Sequence, residues 1–326
     1  MADRKVRAIN LLSGGLDSIL AVKVLQEQGV EVTGLTFVSP FFGSANGERA
    51  ARQLVIPLII RDISSDIMEL VQNPPHGHGK QLNPCIDCHA LMIRKAGQIA
   101  SEQGFDLIAT GEVLGERPMS QNRQSLDTVA RDSGCAGILL RPLSAKLLTP
   151  TKPELEGLVE RDRLLTLEGR SRRPQMALAE KYGITEYLQP AGGCLLTDPA
   201  FCERLSELMR NEPDFSIDDV NLLKIGRHFR LPSGAKFIVG RDERDNARIA
   251  AARNGHTLIV SDVIPGPTAL LVRPRSNADV ELAARICASY SDNRGGEVDM
   301  GVLTENEQMR ITAKVSSRDE FGELRT

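Results

Sequence analysis

Short apolar runs alternate with amphipathic stretches along the first part of the chain. The apolar runs, each bounded by turn residues, are Val6–Leu12, Val30–Val38, Pro57–Ile60, Leu107–Ala109 and Ile138–Leu140. Between them, Ser18–Gln28 and Ala90–Glu102 carry apolar residues at helical spacing, which predicts helices. Alternating strands and helices predict an α/β fold with a doubly wound parallel sheet, whose ligands bind beyond the carboxyl ends of the strands.

The pattern changes after a helix predicted around Phe201–Asn211. Asn211–Asp214 is polar and contains a proline, which is typical of a boundary, so we assign residues 1–210 to the first domain. A hairpin around Leu231–Gly234, a helix and further strands then predict a second, smaller α/β domain over residues 215–315. We expect Ser316–Thr326 to form a frayed tail.

The composition narrows the function classes. Of 326 residues, 41% are apolar and 25% are charged, which is typical of a globular protein. The net charge of -3 gives no overall attraction to nucleic acid, and the absence of Trp argues against broad base-stacking platforms. No run approaches the roughly 20 apolar residues of a membrane span, and no signal peptide is recognisable, so we expect a cytoplasmic protein. There, the six cysteines are ligands, nucleophiles or core residues rather than disulfides.

The first strand leads directly into a glycine-containing loop and then a helix. The loop consists of Ser13, Gly14, Gly15, Leu16, Asp17 and Ser18. Its glycines allow close backbone approach, and N–H groups at a helix start cradle phosphate oxygens. Asp17 would repel phosphate unless it holds Mg²⁺. The loop resembles the pyrophosphatase loop of the adenine nucleotide alpha hydrolase superfamily, which implies cleavage of ATP to AMP and pyrophosphate.

Three cysteines are candidates for sulfur chemistry. Cys85 and Cys88 form a CxxC motif just before a predicted helix, and Cys194 follows two glycines. Three thiolates suit a [4Fe-4S] cluster with one open iron that carries sulfur. Zinc held by these cysteines and His89 is an alternative. In a further alternative, Cys194 carries a persulfide that Cys88 resolves as a disulfide. Buried thiols without a role are the simplest alternative.

Ordered motifs at successive strand ends carry a family resemblance over roughly residues 5–205. Ala109–Glu116, Ser120-Gln121 and Arg141–Leu143 resemble the catalytic domain of ThiI-type tRNA 4-thiouridine synthases. Asn83–His89 with Cys194 is similar to the iron–sulfur tRNA thiouridine synthases. The resemblance implies that Thr110, Gly111, Ser120 and Gln121 help to bind ATP and substrate. The family's THUMP and rhodanese portions are not recognisable, so tRNA presentation and sulfur delivery require other parts.

A basic segment in the second domain is a candidate for tRNA presentation. Residues 221–255 contain eight basic and three acidic side chains, which favours contact with RNA phosphates. Ile225–Arg230 and Phe237–Arg241 are similar to the RNA-binding domain of NFACT-type proteins. We therefore expect Arg227, Arg230, Lys236 and Arg241 to bind RNA. A solvated charged surface is the alternative.

Together these features predict an ATP-dependent tRNA sulfurtransferase of the 4-thiouridine type. Its catalytic residues would be Asp17, Cys88 and Cys194, with ATP, Mg²⁺ and a [4Fe-4S] cluster as cofactors and tRNA as substrate. Sulfide or a cysteine desulfurase would supply the sulfur, with no membrane partner, and a homodimer is compatible with the sequence. The alternatives are thiolation at the 2-position, thiolation of a small molecule, or a non-catalytic RNA-binding protein with a vestigial nucleotide pocket.

Overall fold

The computed structural model describes residues 4–188, 193–261, 264–293 and 295–326. Ala191 and Gly192 of the predicted cysteine turn lie outside these ranges. The chain divides into two compact units, Met1–Asp198 and Pro199–Thr326. None of the helices in the described ranges has the length and apolar character required to cross a bilayer.

The first unit contains a parallel sheet with helices connecting its strands. The strands are β1 (Arg7–Leu11), β2 (Glu31–Val38), β3 (Leu58–Asp62), β4 (Leu107–Ala109) and β5 (Leu139–Leu140). The helices are α1 (Leu16–Gln26), α2 (Ala45–Leu54), α3 (Ser64–Gln72), α4 (Cys85–Gln103), α5 (Arg123–Ser133), α6 (Lys152–Leu155) and α7 (Arg173–Lys181). Single 3₁₀ turns span Ala145–Leu147, Arg161–Arg163 and Leu195–Thr197. The predicted doubly wound fold is confirmed.

The strand order places the predicted motifs side by side. The five strands pair in the order β3-β2-β1-β4-β5, and every pair is parallel. β1 therefore lies between β2 and β4, and the direction of winding reverses between β1 and β4. Loops at such a reversal diverge to opposite faces of the sheet and leave a crevice between them. The glycine loop after β1 and the Thr110 segment after β4 border this crevice.

The second unit contains an antiparallel sheet. Its strands are β6 (Arg227–Arg230), β7 (Lys236–Val239), β8 (Thr257–Ser261), β9 (Ala269–Val272), β10 (Glu297–Leu303) and β11 (Gln308–Lys314). Its helices are α8 (Pro199–Asn211), α9 (Ile217–Leu222), α10 (Glu243–Ala251) and α11 (Asn277–Ser289), with a 3₁₀ helix at Arg318–Leu324. The strands pair in the order β11-β10-β8-β9-β7-β6. Phe229, Phe237 and Leu271 belong to its main hydrophobic cluster.

The unit boundary differs from the one expected at residues 211–214. The division falls between Asp198 and Pro199, so α8 belongs to the second unit. Glu207 on α8 forms ion pairs with Arg230 at 2.6 Å and with Lys236 at 2.8 Å, on β6 and β7 respectively. These partially and fully buried pairs fix the helix to the antiparallel sheet. The polar segment after α8 is therefore a turn within the second unit.

The expected frayed tail is instead a packed segment. Arg318–Leu324 forms a 3₁₀ helix, and the Phe321 side chain is only 3% exposed. Arg325 forms a β-bridge with Phe229, and the Thr326 N–H donates to the His228 carbonyl at 3.0 Å. The sequence suggested a tail because the segment is polar apart from Phe321 and Leu324, and one buried aromatic side chain is enough to anchor it.

We expect Phe321→Ala to lower the free energy of unfolding of the second unit by about 3–5 kcal/mol, because the substitution removes a buried aromatic ring and leaves a cavity. Urea unfolding of the full chain, followed by circular dichroism, measures this change. Glu323→Ala is the matched control, since Glu323 is exposed on the same 3₁₀ helix. Equal stability of Phe321→Ala and the parent chain would contradict the packing of this segment.

Candidate functional site

A few specific contacts fix the conformation of the glycine loop. Gly14 has φ +80°, and a Cβ atom there would lie 2.5 Å from the Asn46 carbonyl oxygen, so glycine is required by both conformation and space. The Ser18 hydroxyl donates to the Gly15 carbonyl at 2.7 Å, and Asn10 Nδ2 donates to the Ser18 carbonyl at 3.2 Å. The loop backbone and the partly exposed start of α1 are therefore arranged for an anionic ligand.

Asp17 occupies an electrostatically unfavourable position in the first turn of α1. Burial raises the pKa of its carboxyl, although the Arg172 and Arg117 guanidiniums oppose the shift. Its Oδ1 atom is buried and has no hydrogen-bond partner among the described residues. The pKa of the neighbouring Glu116 is raised by burial and by the Asp17 charge. An unsatisfied carboxylate oxygen beside a second carboxyl fits the oxygen ligands that Mg²⁺ requires.

Three further side chains next to Asp17 were not predicted from the sequence. Arg172, at the start of α7, and Arg117 act on the Asp17 charge, and the Gln175 amide lies beside it. Gln175 is 1% exposed, yet neither its Nε2 nor its Oε1 has a hydrogen-bond partner within the described ranges. Buried amides are normally satisfied. The Gln175 amide thus points to a ligand that completes the site, and the basic run Arg170–Arg173 was the only signal for it.

The segment after β4 packs directly against the glycine loop. A Cβ atom on Gly111 would lie 2.4 Å from the Ser18 backbone nitrogen, so only glycine allows this approach. Ser120 and Gln121 are both buried, and Gln121 Oε1 has no hydrogen-bond partner in the described part of the chain. Gly111 therefore borders the glycine loop, and the buried Gln121 amide leaves an oxygen without a partner in the loop that follows β4. The Thr110 hydroxyl is used internally, since it donates to Glu112 Oε2 at 3.0 Å.

Glu112 is the centre of a buried network that sequence analysis did not identify. Arg141 Nε donates to Glu112 Oε2 at 2.7 Å, and both side chains are 7% exposed. His89 Nδ1 lies 3.0 Å from Glu112 Oε1. Burial would raise the pKa of this carboxyl, but Arg141 and His89 hold it well below its usual range. Glu112 is therefore an anion that joins the ends of β4 and β5 to the cysteine helix α4.

The three predicted cysteines lie near one another at the start of α4. Burial and the neighbouring Cys194 and Cys85 sulfurs raise the pKa of the Cys88 thiol well above its usual range. Asn83 Nδ2 donates to Cys85 Sγ at 3.1 Å. Asp87, between the two cysteines of the motif, accepts from the His76 N–H at 3.0 Å and contacts His76 Nδ1 at 2.6 Å. The structure therefore brings Cys85, Cys88 and Cys194 together and fixes the loop before them.

The fit of a metal at these cysteines is incomplete. Three thiols are the donor set that a [4Fe-4S] cluster requires. Among the described residues, however, no group of three or more His, Cys, Asp or Glu side chains is gathered closely enough to hold a metal ion. His89, the fourth ligand of the zinc alternative, directs its Nδ1 atom to Glu112. The sulfurs are therefore neighbours with suitable chemistry, but not at ligand spacing.

Two of the four predicted RNA-binding residues are not available to phosphate. Lys236 is 4% exposed, and its ammonium group is paired with Glu207 at 2.8 Å. Arg230 is bound by Glu207 and Glu212. The prediction for these two residues is corrected, because segment charge counts cannot show that a distant helix supplies the acidic partners. Arg227 and Arg241 remain at the surface, partly and largely exposed.

Comparisons with known proteins agree with this division into two units. Residues 4–146 match the family described as thiamine biosynthesis protein (ThiI), and residues 226–324 match the NFACT protein RNA binding domain. One family model thus matches most of the parallel-sheet unit, and another matches most of the antiparallel-sheet unit. These matches confirm the resemblances to ThiI-type and NFACT-type proteins that were predicted from the sequence.

Curated relatives include tRNA-specific 2-thiouridylases (MnmA). The protein from Rickettsia africae is 24% identical, and the alignment covers 97% of this chain and 85% of the relative. The protein from Methylobacterium nodulans is 27% identical, over 38% of this chain and 37% of the relative. The protein from Pelobacter propionicus is 34% identical, over 31% of each chain. The chain therefore spans about a third of some of these relatives and most of others.

Two solved structures resemble parts of this chain, and both have TM-scores below 0.5. A crystal structure of a 4-thiouridine synthetase–RNA complex with bound ATP matches with a TM-score of 0.38 and 22% identity, over 66% of this chain and 52% of that chain. The C-terminal part of a fibronectin/fibrinogen-binding protein from Streptococcus suis matches with a TM-score of 0.29 and 10% identity, over 74% of this chain and 96% of that chain.

We expect Glu112→Gln to lower the free energy of unfolding of the first unit by about 3–5 kcal/mol, because it leaves the buried Arg141 charge without its partner. The pKa of Glu112 is lowered in the folded state, so its stabilisation is present above the ordinary value of 4.5 and is lost as the pH falls below it. The difference between parent and variant should therefore shrink on acidification, as measured by urea unfolding.

The matched control is Glu116→Gln, the same substitution four positions later in the same loop. The pKa of Glu116 is raised, so removal of this charge should leave stability at neutral pH unchanged or slightly higher. A Glu112→Gln variant as stable as the Glu116→Gln control at neutral pH would show that the network does not hold the fold.

Proposed function

We propose that this chain is an ATP-dependent tRNA sulfurtransferase that adenylates a uridine carbonyl oxygen and replaces it with sulfur. One observation supports the proposal: Gly111, after β4, packs against the backbone of the glycine loop, and the next residue, Glu112, contacts His89 on the helix that begins with the cysteine motif. Adenylation and sulfur transfer act on the same carbonyl group in succession. These contacts would allow one bound uridine to meet both the glycine loop and the cysteine motif.

The glycine loop and its basic neighbours would serve the first step. Backbone N–H groups of residues 13–18 would hold the β- and γ-phosphates, and Arg117 and Arg172 would offset their charge. Asp17, with Glu116 nearby, would hold Mg²⁺, which neutralises charge on the polyphosphate when bound. The uridine carbonyl oxygen attacks the α-phosphorus, and the bond to pyrophosphate breaks. The product is an adenylated uridine whose leaving group is AMP.

The cysteines would serve the second step. A sulfur nucleophile adds to the activated carbon and expels AMP, which carries away the former carbonyl oxygen. In the persulfide route, the terminal sulfur of Cys194 attacks, and the Cys88 thiolate then attacks the Sγ atom of Cys194. That attack releases the thiolated uridine and leaves a Cys88–Cys194 disulfide, which a thiol reductant resets. The Glu112–His89 contact would fix α4, and with it Cys88, relative to the β4 end.

A [4Fe-4S] cluster is the second proposed form of sulfur delivery. Cys85, Cys88 and Cys194 would hold it, and its open iron would keep sulfide deprotonated when bound. Burial raises the pKa of the Cys88 thiol, and a bound metal would deprotonate it, because thiols bind metals as thiolates. A cysteine desulfurase, which carries sulfane sulfur as a persulfide of its own, would load Cys194, whereas sulfide would load the open iron of the cluster.

The 4-position and the 2-position of uracil are both compatible with this chemistry. The ThiI match over residues 4–146 supports the 4-position. The MnmA relative from Rickettsia africae, aligned over 97% of this chain, supports the 2-position as the second candidate. We propose the 4-position as the first candidate because the family match covers the phosphate loop, the cysteine motif and the Thr110 segment together.

We expect Asp17→Asn to lower tRNA-dependent formation of AMP by at least about 100-fold, since even outer partners of a bound metal contribute about 10–100-fold. Without ligands, the variant should be as stable as the parent chain or more stable at pH 7. The reason is that the raised pKa of Asp17 makes its charge unfavourable to folding above that pKa. This advantage should disappear as the pH falls towards the ordinary value.

The measurements are release of pyrophosphate and AMP in the presence of tRNA, and thermal unfolding of the ligand-free protein. Ser13→Ala is the matched control in the same loop. It removes an exposed hydroxyl group and no charge, so this variant should retain partial activity. Normal AMP formation by Asp17→Asn would overturn the site. Loss of activity with loss of stability would show that Asp17 supports the fold instead.

We expect replacement of Cys85, Cys88 and Cys194 by alanine to distinguish the two forms of sulfur delivery. If a cluster delivers sulfur, all three variants should lose thiolation and iron together. If a persulfide delivers it, Cys88→Ala and Cys194→Ala should be inactive while Cys85→Ala retains thiolation. Nucleoside mass analysis of the tRNA and iron analysis of anaerobically purified protein give the result. Cys135→Ala is the control, and full thiolation by Cys194→Ala would contradict both forms.

A further inference from the structure

Arginines from three parts of the second unit gather near one tyrosine. Arg227 lies on β6 and Arg241 lies just before α10, whereas Arg318 and Arg325 belong to the C-terminal segment. The guanidinium carbons of Arg227 and Arg318 lie 4.9 Å and 4.7 Å from the centroid of the Tyr290 ring. We call Arg227, Arg241, Arg318, Arg325 and Tyr290 the Tyr290 cluster.

The cluster carries positive charge that the protein does not neutralise. Burial lowers the pKa of Arg227, Tyr290 opposes the shift, and Arg318, Arg325 and Arg241 lower it further. Arg241 is paired with Asp245 at 2.5 Å. Within the described ranges, none of the other three arginines forms an ion pair with a carboxylate. Like charges held together without counterions favour the binding of an anion.

This arrangement contrasts with the other arginine on the same strand. Arg230 on β6 is only 13% exposed, and two glutamates neutralise its charge. Arg227, three positions earlier, donates to the Gly240 carbonyl at 2.9 Å and lies over the Tyr290 ring. Arg230 thus stabilises the fold, whereas the contacts of Arg227 leave its charge uncompensated.

The C-terminal segment holds its arginines in defined positions. Arg318 Nε donates to the Ser289 carbonyl at 3.1 Å, and the buried Phe321 lies between Arg318 and Arg325 in sequence. The β-bridge from Arg325 to Phe229 joins the segment to β6, the strand that carries Arg227. The Arg318 side chain and the backbone of Arg325 are therefore in place before any ligand binds, which reduces the entropy cost of binding.

We propose that the Tyr290 cluster binds the phosphate backbone of RNA. Guanidinium groups match phosphate oxygens with two parallel hydrogen bonds, and an aromatic ring orients a guanidinium without neutralising it. The cluster offers charge and donors but little exposed aromatic surface, so it contacts phosphates rather than reading bases. The identity of this RNA as the tRNA substrate rests on the proposed function. The proposed RNA-binding residues differ from those predicted from the sequence. Arg227 and Arg241 are retained, and Arg318 and Arg325 are added.

The test is the affinity of the full chain for tRNA, measured by fluorescence anisotropy over a range of salt concentrations. The double variant Arg318→Glu, Arg325→Glu should bind at least about tenfold more weakly at low salt. The slope of log affinity against log salt should fall by roughly 0.7–0.9 for each phosphate that the variant no longer neutralises. Tyr290→Phe should bind like the parent, because it keeps the ring face. In thiolation assays, the double variant should show a raised KM for tRNA and an unchanged kcat.

Lys314→Glu is the matched control, since Lys314 is exposed on β11, at the opposite edge of the sheet from β6. Its effects on the affinity and on the salt slope should both be smaller than those of the double variant. If the double variant unfolds, the single variants Arg318→Gln and Arg325→Gln replace it, each with a proportionally smaller effect. Folded cluster variants with parental affinity and slope would overturn the proposal.

The same experiments separate this proposal from the proposed function. A parent chain that binds tRNA through the cluster but forms no thiouridine would refute the sulfurtransferase and leave the cluster supported. A parent chain that thiolates tRNA equally well after reversal of Arg318 and Arg325 would refute the cluster and leave the enzyme supported. A parent chain with no affinity for tRNA would refute both.

Discussion

The proposed site depends on the hydrogen bonds that the buried Glu112 carboxylate makes with its neighbours. It accepts a hydrogen bond from Arg141 at 2.7 Å and from Thr110 at 3.0 Å, and it contacts His89. A buried anion is unfavourable unless it is fully paired. Its three partners lie at the ends of β4 and β5 and on α4, so satisfying this one charge fixes three elements relative to each other. The strand end that meets the glycine loop is thereby joined to the helix that carries the cysteines.

Several buried polar atoms of the proposed site, by contrast, have no hydrogen-bond partner within the described ranges. The Asp17 carboxylate, the Gln175 amide and the Gln121 amide each have buried polar atoms with no partner among the described residues. Such atoms are uncommon in folded proteins, and a polyanionic substrate with its cation would satisfy those of the neighbouring Asp17 and Gln175 side chains. The second unit shows the same contrast, because Arg230 and Lys236 are neutralised by Glu207 while Arg227 and Arg318 are not.

The sequence predicted what local patterns determine. The parallel sheet, the glycine loop and the start of the cysteine helix follow from apolar runs and glycines within short windows, and the structure has them. Glu112 and Arg141 lie 29 positions apart, and Gln175 reaches Asp17 from a helix far along the chain, so no local spacing signals either contact. The assignment of α8 to the first domain and the expected frayed tail were wrong for the same reason. Glu207 and Phe321 each form the decisive contact with a distant strand or helix.

In the proposed mechanism, AMP leaves with the oxygen of the uridine carbonyl. The most direct measurement uses tRNA labelled with ¹⁸O at the 4-carbonyl of its uridines, with ATP, Mg²⁺ and a sulfur donor, followed by mass analysis of AMP and of the tRNA nucleosides. We expect one ¹⁸O atom in AMP for each 4-thiouridine formed. Label transferred only from the 2-carbonyl, in a parallel experiment with tRNA labelled there, would assign the second candidate position. Thiouridine formed with unlabelled AMP from both substrates would contradict adenylation of the carbonyl oxygen.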